Sequence, residues 1–377
     1  MGLGSGGTGD AGAAHRRAGR PALPCLAVAA LILLATPATA EPLRIAAWGA
    51  DLSRDGPGLL LRDILGDEDP AVEAVAAVLA ATRPDVLLLT DMDWDADGAA
   101  LAALAARLAE EGLDYPHRLA LPSNAGLPSG LDLDGNGRLA EPRDAQGYGR
   151  FRGQGGLALL SRWPLGEARD LSGLLWRRLP GARLPTVDGA PFPSEDAQAA
   201  QRLSSTGHWI VPVEAPGGPL TLLAWAATPP VFDGPEDLNG LRNADELALW
   251  ARLLDGDLGP VPEAFVLLGD ANLDPADGEG FSSDMAAFLS DPRLQDPRPA
   301  SEGGRAAATP GQAGDPALDT ADWREDGPGN LRTHYVLPAA ALRVLGAGVV
   351  WPLPADPLAE AAEAAGPHRL VWVDLDR

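Results

Sequence analysis

The chain has 377 residues, with 53 acidic side chains against 29 basic ones, a formal net charge of −24 and a single cysteine. So acidic a composition counts against a nucleic-acid binder, because affinity for a phosphate backbone depends on a cationic footprint; it leaves room for a locally neutral cleft, a small phosphoester or bound divalent cations. Cys25 has no second cysteine to pair with, which excludes an intrachain disulfide, and beyond the first forty residues no segment is long and apolar enough to cross a bilayer.

Those first residues carry the pattern of an export signal. A basic stretch, His15-Arg-Arg-Ala-Gly-Arg20, precedes an apolar run from Cys25 to Ala35, and Ala38-Thr-Ala40 is a small-x-small cleavage site before Glu41. The paired arginines lack the flanks of a twin-arginine signal, and Cys25 lacks the small residue that a lipoprotein signal places before it. The expectation is a signal peptide over 1–40 and one exported domain, periplasmic or extracellular, over 41–377.

Leu43 to Trp48 predicts a short apolar strand, and Asp51 to Asp69 a loop. Asp69-Pro70 opens a helix, with Asp at the N-cap and Pro at the first helical position. Val72, Val75, Val78 and Leu79 recur at helical spacing until Pro84. Asp85 to Leu89 reads as a strand buried on both faces, and Gly98 to Glu110 as an Ala/Leu-rich helix. Tyr115 to Gly156 has no periodicity, only turn residues, which is long for a loop and points to function or to an ion. Gly156 to Leu160 is a strand, closed by Ser161-Arg-Trp-Pro164. His208–Val213 and Leu220–Trp225 predict an antiparallel pair, and Leu241 to Leu254 a helix. Residues 291–330 are a Pro/Gly/Asp/Arg-rich excursion with little core.

Between those last two segments lies Phe265-Val-Leu-Leu-Gly-Asp-Ala-Asn-Leu-Asp-Pro275. It reads as a buried strand that stops at Gly269 and delivers Asp270 and Asn272 where the strand runs out. In extended backbone, residues two apart point to the same side. Asp270 could then orient a water or hold a metal, and Asn272 could donate to an oxyanion. An Asx turn capping the strand is the structural alternative.

Within the long loop, Asp132, Asp134 and Asn136 are spaced like positions 1, 3 and 5 of a calcium loop, with Gly137 at the turn. Arg143 stands at position 12 where glutamate is expected, so Glu141 or Asp144 would have to close the shell. The readings are a bound calcium or a solvated Asp/Gly turn.

Gly-Asp-x-Asn after an apolar strand, together with Arg44-Ile-Ala-Ala-Trp-Gly49, Arg83-Pro-Asp-Val-Leu-Leu-Leu-Thr-Asp91, Asn330-Leu-Arg-Thr-His-Tyr-Val-Leu-Pro338 and Gly366-Pro-His-Arg-Leu-Val-Trp-Val-Asp374, resembles the endonuclease/exonuclease/phosphatase family, of deoxyribonuclease-like fold. The loop carrying Asp233, Glu236, Asp237, Asn239, Arg242 and Asn243 is similar to that of a secreted bacterial branch, where these residues either brace the loop onto the next helix or touch substrate. The resemblance implies an α/β fold, a four-layer α/β/β/α sandwich of two mixed sheets. It also implies metal-assisted phosphoester cleavage, with magnesium or manganese expected. Asp270 and Asn272 match the family's Asp-x-Asn pair and His368 its C-terminal histidine, and these three are the implied catalytic residues. Asp91 stands at the place of the metal-binding glutamate, one methylene shorter.

Four positions depart. Gly49 replaces an asparagine, Ala226 a histidine, Pro367 an acid, and His334 the acid that orients the terminal histidine. His334 is a candidate replacement metal ligand, which would favour zinc or manganese over magnesium. Two functions therefore stand open: an exported phosphoester hydrolase with a partly degraded site, or a catalytically inactive, calcium-stabilised binding or scaffold protein on the same fold.

Overall fold

The computed structural model describes residues 1–2, 7–9, 42–66, 68–324 and 326–377. The apolar run from Cys25 and the expected cleavage site at Ala38-Thr-Ala40 lie outside the described residues. Contacts divide the chain into Met1–Thr39 and Ala40–Arg377, and the strands and helices among the described residues belong to the second unit.

β1 (Leu43–Trp48) is apolar on both faces because it runs in the middle of a sheet. In the stretch expected to be loop, the chain forms a two-turn helix, α1 (Leu59–Gly66). It buries only Leu60 and Ile64, one i,i+4 pair, too little to show as periodicity. α2 (Pro70–Thr82) starts as its sequence dictates: Asp69 Oδ1 accepts from the backbone nitrogens of Ala71 and Val72 at 3.1 and 3.0 Å, satisfying donors that have no partner inside the helix.

β2 (Val86–Met92), α3 (Ala99–Glu110) and β3 (His117–Leu119) follow. A long loop leads to β4 (Gly156–Ser161), then β5 (Arg169–Asp170), the small hairpin of β6 (Thr186–Val187) and β7 (Ala190–Pro191), and α4 (Glu195–Ala200). The second half consists of β8 (Gly207–Val213), β9 (Leu220–Ala226), α5 (Leu238–Leu254), β10 (Phe265–Asp270), α6 (Ser282–Leu289), α7 (Glu302–Ala306), β11 (His334–Pro338), β12 (Val344–Val349), α8 (Ala359–Ala364) and β13 (Val371–Leu375).

Two sheets result, in the orders β12-β13-β1-β2-β4-β3 and β11-β10-β9-β8-β5. Each is mixed: β1 and β2 are parallel, as are β9 and β10, and the other pairings are antiparallel. Side chains alternate between faces, which sorts the core into three slabs. Ile45, Ala47, Leu88 and Leu159 of the first sheet meet Val211, Leu222, Val266 and Val336 of the second. Trp48, Leu87 and Leu89 turn outward to Val75, Leu79 and Leu104 of the helices. Leu223, Trp225 and Leu267 turn the other way, to Leu249, Trp250 and Leu253 of α5. This is the four-layer α/β/β/α sandwich expected from the resemblance. The C-terminal ends of β1, β2, β9 and β10 and the entrances of β11 and β13 gather at one edge of the two sheets.

Candidate active site

Asp270 is the last residue of β10, in register with Ala226 of β9 on one side and His334 of β11 on the other. Gly269 before it lies at φ 146°, where an added Cβ would stand 1.9 Å from the Trp225 carbonyl oxygen; only glycine fits. Beyond Asp270 the extended backbone ends. Asp270 Oδ1 accepts from the Asn272 backbone nitrogen at 2.9 Å, and Asn272 sits at φ 46°. The side-by-side presentation expected from strand alternation is thus replaced by an Asx turn. Asn272 Nδ2 donates to the Ala227 carbonyl at 2.9 Å, which occupies one of its two amide hydrogens and leaves the other for an incoming group.

Asp270, His334 and His368 each bring one potential ligand atom to within 4.8 Å of the others. His334 is fully buried, with its backbone nitrogen donating to Thr320 Oγ1 at 3.0 Å. Its ring is held by Thr90 Oγ1, 3.0 Å from Nε2, and its Nδ1 lies 3.7 Å from Asp270 Oδ1. His368 stands edge-on to His334, with ring centroids 4.8 Å apart, and edge-on to Trp323 at 5.2 Å. Its Nδ1 is buried and has no hydrogen-bond partner. The turn that carries it is pinned by Arg369, which donates to the Ala362 and Gly366 carbonyls at 3.0 and 2.6 Å, and by Trp48 Nε1, which donates to the His368 carbonyl at 3.0 Å.

Asp91, expected as the metal carboxylate, stands outside this trio. It lies at the end of β2 against Gly155, where a Cβ would come within 2.6 Å of its Oδ1. Burial pushes the Asp91 carboxyl up to about 7, and the charges of Asp51, Asp93 and Asp270 add to that. Burial also raises Asp270, with His368, the Asn272 N–H and the Thr333 hydroxyl drawing it back. The imidazoles move the other way: burial brings His334 down to about 3, and burial and then His334 bring His368 down to about 4. Around neutral pH the site therefore pairs two uncharged imidazoles, able to accept a proton or a metal ion, with carboxylates that repel one another.

The residues of the loop between β9 and α5 brace it onto the helix and the neighbouring strand ends. Asn243 on α5 donates to the carbonyls of Thr228 and Ala271 at 2.7 and 2.8 Å, tying the end of β9 to the end of β10. Arg242 donates to the Leu203 and Arg202 carbonyls at 2.8 and 2.9 Å, and Glu246 accepts from the backbone nitrogens of Ser205 and Thr228 at 2.6 and 2.7 Å. Asp233 accepts from the Asn239 nitrogen at 2.5 Å.

In the long loop, Asp132 accepts from the nitrogens of Gly135, Asn136 and Gly137 at 2.7, 3.2 and 2.8 Å. The third carboxylate beside Asp132 and Asp134 is Asp144. Asn136, expected as a ligand, turns its Oδ1 to the Arg138 nitrogen at 2.8 Å. Asp134 is raised by partial burial and by its neighbours Asp132 and Asp144.

Two residues that shape the site were not singled out from sequence. Thr90 had a signal, as the one hydroxyl ending a run of leucines in a strand read as buried. Trp323 had none, since it lies in the Pro/Gly-rich excursion.

Residues 64–366 match the family model described as Endonuclease/Exonuclease/phosphatase family. Among solved structures, the chain is similar to an endonuclease/exonuclease/phosphatase from Beutenbergia cavernae, with a TM-score of 0.52 and 20% identity over 89% of this chain and 71% of that one. Sphingomyelinase C from Streptomyces griseocarneus gives a TM-score of 0.49 and 16% identity, covering 88% and 99%. A family protein from Leptotrichia buccalis gives 0.49 and 14%, covering 88% and 99%. At such identities the likeness is one of fold. No curated protein matches the chain.

Proposed function

The chain belongs to the endonuclease/exonuclease/phosphatase family, and we propose that it hydrolyses phosphoesters, with a divalent metal ion, at the sheet edge where β10 ends and β11 and β13 begin. The observation that carries this reading is the meeting of Asp270, His334 and His368 within 4.8 Å of one another, at strand ends drawn from both sheets. Asp270 is the carboxylate at its centre. Asn272 keeps an amide hydrogen for a phosphate oxygen, and His368 has a free nitrogen for a proton or an ion. A bound divalent ion would stabilise charge developing on the phosphoryl oxygens. The net charge of −24 favours a small phosphoester over a nucleic-acid backbone, and the export signal pattern before Glu41 supports a reaction outside the cytoplasm.

The magnesium of the family is a poor match to these side chains. Magnesium demands near-octahedral oxygen ligands and is bound through carboxylates. Here position 49 offers no side chain, and position 334 offers nitrogen.

A second reading has its own observation. Asp270 and Asn272 both do structural work, in the Asx turn and on the Ala227 carbonyl, and would persist without catalysis. Asp132, Asp134 and Asp144 would then serve a calcium-stabilised binding protein. One experiment separates the two: phosphodiester and phosphomonoester panels with magnesium, manganese, zinc or calcium, run beside Asp270→Ala. Hydrolysis lost in the variant supports the enzyme; no hydrolysis by the wild type with any ion supports the binding protein.

A further inference from the structure

We infer that Asp270, His334 and His368 form a site for a borderline transition ion of the zinc class, in place of the family's magnesium. The inference rests on the phosphoester-hydrolase reading and deepens it by naming the ion.

The donor set comes first. Two imidazole nitrogens and one carboxylate oxygen suit zinc and its neighbours, which take His nitrogen and carboxylate oxygen together; magnesium takes oxygen. Three protein ligands with a further position open is also the usual make-up of a catalytic zinc site.

The second observation is the unpaired nitrogen. His368 Nδ1 is buried with no hydrogen-bond partner, whereas buried polar atoms are nearly always paired, with protein, water or an ion. Both ring nitrogens of His334 have hydroxyl neighbours, Thr90 Oγ1 on Nε2 and Thr333 Oγ1 on Nδ1. With the proton on Nε2, toward Thr90 Oγ1 at 3.0 Å, the Nδ1 lone pair of His334 faces Thr333 Oγ1 at 3.4 Å and Asp270 Oδ1 beyond it. Nδ1 and Asp270 Oδ1 are 3.7 Å apart, too long for a hydrogen bond. Two ligand atoms bonded to one zinc at about 2.0–2.2 Å stand roughly 3.3 Å from each other. Nδ1 and the carboxylate thus stand near the spacing that a shared cation gives, and the long 3.4 Å contact of Nδ1 with the Thr333 hydroxyl is one that an ion would displace. Thr90 is the kind of outer partner that fixes the tautomer and orientation of a ligating histidine.

The third observation is that an oxygen ligand at position 49 and the two imidazoles compete for the same space. A Cβ on Gly49 would lie 3.0 Å from His334 Cε1 and 3.2 Å from His368 Cγ. The asparagine that the resemblance expects at this position would crowd both rings, which would have to shift by a few tenths of an ångström to admit it. With no amide at position 49 and an imidazole at position 334, the site offers nitrogen where the resemblance expects oxygen.

The test is metal binding without substrate. Chelator-treated protein is titrated with zinc against a chromogenic chelator, with and without excess magnesium, for the wild type, His368→Gln and His334→Asn. An Asp134→Asn background removes binding at the acidic loop. Cobalt substitution is followed by visible d–d absorption. The expected result is one zinc that excess magnesium does not displace, with affinity falling in His368→Gln by at least the roughly hundredfold that loss of an outer-shell partner alone can cost. Nitrogen-ligated cobalt bands should vanish in the same variant. Zinc held no more tightly than magnesium overturns the inference, as do zinc affinity and cobalt bands unchanged in both variants. Should the variants fail to fold, X-ray absorption of the zinc-loaded Asp134→Asn background decides: imidazole scattering supports the site, and an all-oxygen shell overturns it. Magnesium-dependent hydrolysis without zinc binding would sink this inference and leave the proposed function standing; zinc bound without hydrolysis of any phosphoester would do the reverse.

Discussion

Gly49 and His334 share one side chain's worth of space: a Cβ on the glycine would stand 3.0 Å from Cε1 and 3.1 Å from Nε2 of the imidazole. Two of the positions at which the resemblance expects a different residue thereby crowd one another. The glycine is not needed for its backbone, since no left-handed φ is required there; it is needed for room.

That crowding has a thermodynamic signature. Gly49→Asn should destabilise the protein by about 1–3 kcal/mol, the usual cost of overpacking a filled interior. Adding His334→Asp should return part of the loss, because the shorter side chain vacates the space. Urea unfolding of both single variants and the double gives the coupling energy; a double variant as unstable as the sum of the singles would show that the two side chains do not compete.

The same reasoning bears on magnesium. Gly49→Asn, Asp91→Glu, Ala226→His, His334→Asp and Pro367→Asp together should raise magnesium-dependent phosphodiester hydrolysis, while each alone should not. One preorganised group is worth on the order of a hundredfold in rate, and groups that act as a unit are not additive. Melting curves must first establish that the five-fold variant folds. A large gain from any single substitution would contradict the account.

Acid stability should carry the mark of His208. Its ring is fully buried between Trp225 and Trp250, at centroid distances of 5.5 and 5.3 Å, and burial pushes its pKa down to about 3. Folding depresses this pKa below the ordinary value near 6.5, so the unfolded chain takes up the proton first. The stability associated with neutral His208 is full above that value. It is lost at up to about 1.4 kcal/mol per pH unit as the pH falls toward 3. His208→Gln, whatever it costs at neutral pH, should show a shallower loss between pH 6.5 and 3. Parallel profiles for the two proteins would refute the assignment.

Calcium should stabilise the loop through Asp132, Asp134 and Asp144. An ion that binds only the folded state adds about 2.7 kcal/mol at a hundred times its dissociation constant. Chelator should therefore lower the melting temperature of the wild type but leave Asp134→Asn unchanged. Asp144 is unsuited to this test, since it also accepts from the Leu133 and Glu141 nitrogens at 3.0 Å. An unchanged melting temperature on chelating protein shown to contain calcium would exclude a structural ion.

The sandwich was legible because its central strands are long apolar runs and α2 announces itself with Asp69-Pro70. β12 was not. Its Leu-Gly-Ala-Gly core has little strand character, yet Gly348 is required: a Cβ there would lie 2.8 Å from the Trp372 indole across the β13 pairing. The glycine's reason lies in a residue 24 positions away, where no local pattern records it. At the site, Asp270, His334 and His368 could each be found from sequence, because each ends or opens an apolar strand. Their grouping could not. It depends on Gly49 and Thr90, from the opposite sheet, making room for one ring and orienting it. At Asn272 the sequence leaves two readings open, strand alternation or an Asx turn, because the strand rule holds only as far as Asp270, where the extended backbone ends.

The most direct test is hydrolysis of a chromogenic phosphodiester by metal-stripped protein reloaded with zinc, manganese or magnesium, with Asp270→Asn alongside. Asparagine keeps the oxygen that accepts from the Asn272 nitrogen, so the Asx turn survives while the charge is lost. The account predicts turnover with zinc or manganese that exceeds turnover with magnesium and disappears in Asp270→Asn. Turnover that is equal in wild type and variant would contradict it.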